Sequence, residues 1–231
     1  YTAELGDVND LRSLLSARGL PPGDALNAVT IATTHSDGFG DIPLPDTVWD
    51  ITHQNGPAHY SASGPGVDRS VKPDLHHVGG RALYVRPVAP PDEQETVAVE
   101  LAPTAITGPG LQVAAPGRAG ATNNTVFTVG TSNATALVAR EASHLFDILE
   151  AGSGDPDDEP LPDPQYHPLL VRALLAHASS WGEWEARLRA ELGLTNQQAR
   201  RHLTALLGYG RLETDRLGTA ATNRAVLVGG G

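Results

Sequence analysis

Apolar residues at Val8, Leu11, Leu14 and Leu15 recur at three- and four-residue spacing, so the stretch Val8 to Arg18 is expected to form a short amphipathic helix. Gly19 and the Pro21–Pro22 pair end it. The run Ala28 to Thr34 is short, β-branched and mostly apolar, with no alternation, which suits a strand covered on both faces. Residues 35 to 70 are rich in Gly, Pro, Asp and Ser and read as loop. Val71 to Val78 is a second strand candidate. The next stretch, 81 to 117, holds three short runs (Ala82 to Val85, Thr96 to Leu101 and Leu111 to Ala115) broken by Pro and Gly, and reads as an irregular β insertion.

Asn124 to Val129 is a clearer strand. After Gly130, Thr131 and Ser132 a long helical pattern runs to about Ala151, with Val138, Ala142, Leu145 and Leu149 on one face and Arg140, His144 and Asp147 off it. Gly152 is positioned as its C-cap. The acidic, Pro-rich stretch 153–164 lacks the ligand spacing and central Gly of a calcium-binding loop and reads as a solvated connection. Helical patterns follow at Pro168 to Ser180, Glu183 to Glu191 and Asn196 to Leu207, and Ala225 to Val228 is expected as a last short strand.

Composition narrows the chemistry. The 16 basic against 27 acidic residues give a formal charge of −11, which argues against nucleic acid or an anionic membrane as partner. No apolar run approaches the roughly 20 residues of a membrane helix, and no leader pattern is visible. With no Cys there is no thiol nucleophile, disulfide or Cys-ligated metal. With no Met, the chain is expected to be a processed product or the later part of a longer polypeptide. No cofactor is implied by any motif.

The sharpest candidate for chemistry is the segment Val126 to Ala139. A strand runs into Gly130-Thr131-Ser132, and a helix starts at or just after the Ser. A hydroxyl there sits among unpaired N–H groups at the positive end of a helix dipole. Its own N–H can help to hold an oxyanion. Gly130 leaves room for a substrate backbone. Plain helix capping by Ser explains the same pattern without any chemistry.

Gly130-Thr131-Ser132-x-Ala134-Thr135-x-x-Val138-Ala139 resembles the serine motif of the subtilisin-like serine peptidases (subtilases). Tyr60-Ser61-Ala62-Ser63-Gly64-Pro65, followed by Lys72-Pro73-Asp74-Leu75, is similar to a second segment of that family, and Ala28 to Thr34 to the strand before it. The elements around Leu169 to Trp181 and Gly208-Tyr209-Gly210 are similar to those that close the domain in many bacterial members. Departures from the pattern are Asn133 in place of Met, Ala136 in place of Pro, Leu137 where His is frequent, and the displacement of Ala115-Pro116-Gly117 well beyond Asp74.

The resemblance implies a subtilisin-like α/β fold, a parallel sheet flanked by helices, present as its C-terminal half with a helical tail. The expected organisation is a catalytic core over 1–152 with an insertion at about 81–122, the acidic loop 153–164, and a C-terminal helical segment 165–231 of the same domain. It implies a serine endopeptidase acting on peptide or protein substrates, with Ser132 as nucleophile and backbone oxyanion donor and Gly130 and Thr131 as the supporting turn. The family order is Asp, His, Ser. Neither an Asp turn, a His-Gly helix start nor a Gly-Asn turn occurs in this sequence. All three are expected in the N-terminal half of the same polypeptide, and the chain alone is expected to be inactive.

Local substitutes are weak. His144, twelve positions into the helix, stands roughly 18 Å from Ser132. His76 and His77 end a strand and read as structural or solvated. His53 and His59 lack a third metal ligand at a recognisable spacing. His177 reads as a core histidine, and Asn55-Gly56 as a turn. Residues 186–216 also carry a winged-helix pattern, in which Gln197, Gln198, Arg200, Arg201 and His202 would enter a DNA groove and Gly210 to Glu213 would begin the wing. A third reading is an inactive, subtilase-shaped binding domain.

Overall fold

The structure is a computed structural model and describes residues 2–4, 23–37, 43–85, 96–104, 108–151 and 163–217. In chain order the elements are β1 (Thr2–Glu4), β2 (Ile31–Thr34), β3 (Val48–Trp49), β4 (Leu75–Val78), β5 (Tyr84–Val85), β6 (Thr96–Ala98), β7 (Leu111–Ala115), β8 (Asn124–Thr128) and α1 (Thr131–Ala151). After these come α2 (His167–His177), β9 (Ser179–Ser180), α3 (Trp184–Glu191), α4 (Asn196–Leu207) and β10 (Arg211–Leu212).

The central sheet has the order β2-β4-β10-β9. β4 runs parallel to both β2 and β10, and β9 is antiparallel to β10. Strand alternation divides its residues between two helical layers. Ile31 and Leu75 are paired in register and point toward α1 and α2, where they join Ala134, Val138, Leu145, Val171 and Leu175 in the larger core. His76 and Thr34 point the other way, toward α3 and α4, whose Trp184, Leu188, Ala199, Leu203, Leu206 and Leu207 form a second core. The protein is therefore mixed α/β, with a partly parallel sheet and helices on both faces. A third, smaller cluster of Ala82, Tyr84 and Val99 packs with Trp49, Ile51, Tyr60 and Val129 beyond the C-terminal ends of β2 and β4.

The helix expected to end near Ala151 does so, and its apolar face is the one the pattern indicates: Val138 and Leu145 are buried, with Ala142 and Leu149 packed on the same cluster. The helix Asn196–Leu207 matches its expected span. Both buried strands start later than expected. At β4 the reason is Lys72-Pro73-Asp74: Pro has no N–H for a ladder, and the flanking side chains are engaged elsewhere. The pattern Pro168 to Ser180 resolves into α2, ending at His177, and the short strand β9. His177 is exposed, not a core residue. The helix expected at Val8 to Arg18, residues 153–162 of the acidic loop and the strand expected at Ala225 to Val228 lie outside the described residues.

Candidate active site

The β7–β8 hairpin delivers the chain to the C-terminal end of β4, and α1 begins there. The junction is held by a small set of bonds. Gly130 N donates to Gly79 O at 2.9 Å, and Asn133 N donates to Gly130 O at 3.1 Å. The Asn133 side-chain amide donates to Gly79 O at 3.3 Å and to Thr128 O at 3.1 Å, while its oxygen accepts from Thr128 Oγ1 at 3.1 Å. Asn133, a departure from the subtilase pattern, is thus the clamp between the strand end and the first turn of α1.

This close approach depends on Gly79. A Cβ there would meet Thr33 Cγ2 at 2.2 Å and Gly130 O at 2.8 Å. At Gly130 a Cβ would find nothing nearer than Ser132 N at 3.9 Å, so the outer side of the turn is open. Thr131 opens the helix, and its carbonyl accepts from Thr135 Oγ1 at 2.9 Å. Ser132 is exposed in the first turn. No described residue hydrogen-bonds its Oγ, so the hydroxyl is not spent on capping. The first turn contains no acidic side chain that would neutralise its N–H groups.

No histidine reaches this hydroxyl among the described residues. His144 is exposed on α1, 3.8 Å from Glu141. His77 is held below its usual range first by burial and then by the positive charges of Arg211 and Arg140, with Glu141 pulling the other way. Its Nδ1 accepts from Val78 N at 2.7 Å. His76 is 2 % exposed and faces α4. Its Nε2 donates to Leu206 O at 2.9 Å, and burial lowers it to about 4. His59 bonds Thr52 Oγ1 through Nδ1 at 2.6 Å and the Tyr84 hydroxyl through Nε2, and burial lowers it also to about 4. His53 is half-exposed, 4.0 Å from Glu191. Among the described residues no three His, Asp or Glu gather as a metal site.

The described residues also form two charged networks. Asp74 accepts from Thr30 N at 2.9 Å, Lys72 Nζ at 2.6 Å and Arg172 Nη2 at 2.7 Å, and Lys72 Nζ also donates to Ala28 O at 2.6 Å. Lys72 and Asp74 are 4 % and 2 % exposed, so the Lys-Pro-Asp segment is a structural anchor at the N-terminal end of β4. The second was not singled out from the sequence. His35 Nε2 meets Asp50 Oδ1 at 2.7 Å, and Arg81 bridges Asp50 at 3.5 Å and Asp37 at 3.0 Å. A His–Asp pair invites a catalytic reading, but His35 is fully buried.

The winged-helix candidates divide. Gln198, Arg200 and Arg201 are exposed on α4 and His202 is half-buried. Arg211 and Leu212, which would open the wing, form β10 and lie between β4 and β9 in the central sheet. A strand held by two neighbours is not free to enter a groove. Comparison of the chain with protein-family models, with curated proteins and with solved structures finds no match.

Proposed function

We propose that this chain is the C-terminal portion of a subtilisin-like serine endopeptidase domain, with Ser132 as its nucleophile. The observation that carries this reading is an exposed hydroxyl, unbonded among the described residues, in the first turn of a 21-residue helix that starts where two parallel strands end. Open α/β sheets favour that edge for ligands, outside the carboxyl ends of the strands.

In this reading Ser132 Oγ attacks a peptide carbonyl carbon, and its proton passes to a histidine. The oxyanion is held by the Ser132 N–H and an asparagine amide. Collapse releases the amine, which takes the proton from the imidazolium, and water then hydrolyses the acyl ester. The histidine, its orienting aspartate and the asparagine come from the N-terminal half of the same polypeptide. The distance from Ser132 to His144 along α1, together with the burial of His35 and His76, supports a base from outside this segment.

Ser132→Ala in the complete polypeptide tests the assignment. Turnover of a peptide substrate is expected to fall by about a millionfold, the order of loss that follows removal of a triad nucleophile, and fluorophosphonate labelling is expected to vanish. Unchanged turnover and labelling would overturn it. The 231-residue chain alone is expected to show no hydrolysis, so any Ser132-dependent turnover by it would reveal a local base. Peptide binding without labelling by the complete polypeptide would favour the inactive binding domain.

A further inference from the structure

Ser132 is exposed, while Asn133, the next residue, is half-buried. The Asn133 side chain makes three hydrogen bonds. Nδ2 donates to Gly79 O at 3.3 Å and to Thr128 O at 3.1 Å, and Oδ1 accepts from Thr128 Oγ1 at 3.1 Å. An Asn at a helix start ordinarily caps it, its oxygen accepting a backbone N–H. Here the amide does the reverse and donates to carbonyls outside the helix. Thr128 is the last residue of β8, and Gly79 directly follows β4. One side chain therefore ties the first turn of α1 to two strand ends, one of them 54 positions away.

Both amide hydrogens are engaged, so Asn133 has none to offer a developing oxyanion. What it can fix is position. Consecutive Cα atoms stand about 3.8 Å apart, so a side chain held at three points also holds the peptide that carries Ser132. The backbone tie at the same place, Gly130 N to Gly79 O at 2.9 Å, comes before Ser132 in the chain, and Asn133 comes after it. The turn is thus held to the strand ends on both sides of the hydroxyl. The Thr135 hydroxyl donates to Thr131 O and binds α1 to itself, not to the sheet. Neutral hydrogen bonds at a half-exposed site can be replaced by water and add little to folding. A shift of about 1 Å at a reacting group, by contrast, costs on the order of a hundredfold in rate. Loss of the amide should therefore register in rate first.

We propose, on the reading that Ser132 is the nucleophile, that Asn133 is its positioning residue: the Asn133 amide, bonded to Gly79 O and Thr128 O, fixes the turn from which the Ser132 hydroxyl attacks. Asn133 stands where the subtilase pattern has Met, so this device comes from the chain's own sequence and not from the resemblance.

Fluorophosphonate labelling of the complete polypeptide, followed to completion, reads a rate constant and a final amplitude separately, and a peptide substrate supplies kcat and KM. Asn133→Ala is expected to lower the labelling rate constant and kcat about a hundredfold. Its KM and its final amplitude are expected to stay those of the parent. Asn133→Asp keeps the size of the side chain but removes both donors, and it is expected to lose as much. Thr128→Val removes one of the three bonds and is expected to slow labelling about threefold; it decides alone where the Asn133 variants do not fold. A lowered amplitude with an unchanged rate constant would mean that Asn133 serves folding. A raised KM with unchanged kcat would mean that it serves binding. Either result overturns the proposal, as would parent rates in Asn133→Ala, Asn133→Asp or Thr128→Val. A parent polypeptide that takes no label would sink the nucleophile itself, whereas a labelled parent with any of those results sinks the role of Asn133 alone.

Discussion

The two ends of β4 carry opposite kinds of polar chemistry. At the N-terminal end, Lys72 and Asp74 are buried, and the Asp74 carboxylate is bonded to a backbone N–H, an ammonium and a guanidinium. At the C-terminal end, Gly79 brings in the β8–α1 turn, and the Ser132 hydroxyl is left exposed and unbonded among the described residues. Removing a partner from the first end strands a buried charge, which folding must then accommodate. Removing the hydroxyl from the second takes away nothing that folding uses. The same four-residue strand thus joins a buried anchor to an exposed hydroxyl. A motif with charged residues is no better a guide to chemistry than one with a single Ser, until the partners of each are known.

Ser132→Ala should separate the two ends most sharply. Alongside the millionfold loss of turnover expected above, the unfolding midpoint should stay within about 0.5 kcal/mol of the parent, the range of an exposed substitution. A large loss of stability would mean that the hydroxyl has a structural partner. Asp74→Ala is the converse. It leaves Lys72 buried without its carboxylate, and it should cost about 3–5 kcal/mol in urea unfolding. A loss below about 1 kcal/mol would show that the Lys-Pro-Asp anchor does not hold the strand.

The middle of β4 adds a pH dependence. His76 has a folded pKa lowered to about 4 against an ordinary 6.5, because burial disfavours the imidazolium. Between those values the unfolded chain binds the proton and the folded chain does not, so stability falls as pH is lowered from 6.5 to 4. The loss attributable to His76 is on the order of 3 kcal/mol. His59 adds a contribution of the same sign. Urea midpoints at pH 7 and pH 4.5 measure the slope, and His76→Asn should flatten it. An unchanged slope in that variant would show that His76 already titrates normally.

How much of this was legible in the sequence varies with range. The helices Thr131–Ala151 and Asn196–Leu207 were, because a 3.6-residue apolar period is local information. The turn before Ser132 was legible too, as a strand, a glycine and a capping residue in succession. The role of Gly79 was not, since its need comes from Thr33 and from Gly130, whose carbonyl it meets 51 positions away. The Lys-Pro-Asp segment was visible as a pattern, while its partners Thr30 and Arg172 were not. His35, Asp50, Arg81 and Asp37 meet across 15 and 44 positions with no periodicity to mark them. His177 was misread as core because α2 is apolar nearly all round. Only packing decides which stripe faces inward.

The smallest effect sharpens the contrast within the anchor itself. Arg172 donates Nη2 to Asp74 Oδ1 at 2.7 Å and Nη1 to Leu26 O at 2.7 Å, but its side chain is 36 % exposed, against 4 % for Lys72. Water therefore screens the Arg172 pair and solvates the guanidinium in either state. Asp74 also keeps its bonds to Lys72 and Thr30 N when Arg172 is truncated. Arg172→Ala should accordingly cost no more than about 1 kcal/mol, and the difference from the parent should shrink as salt is raised. A loss as large as that of Asp74→Ala, unaffected by salt, would mean that the three charges act as one buried unit. The anchor would then reach through the α1–α2 layer to the surface and not end at β4.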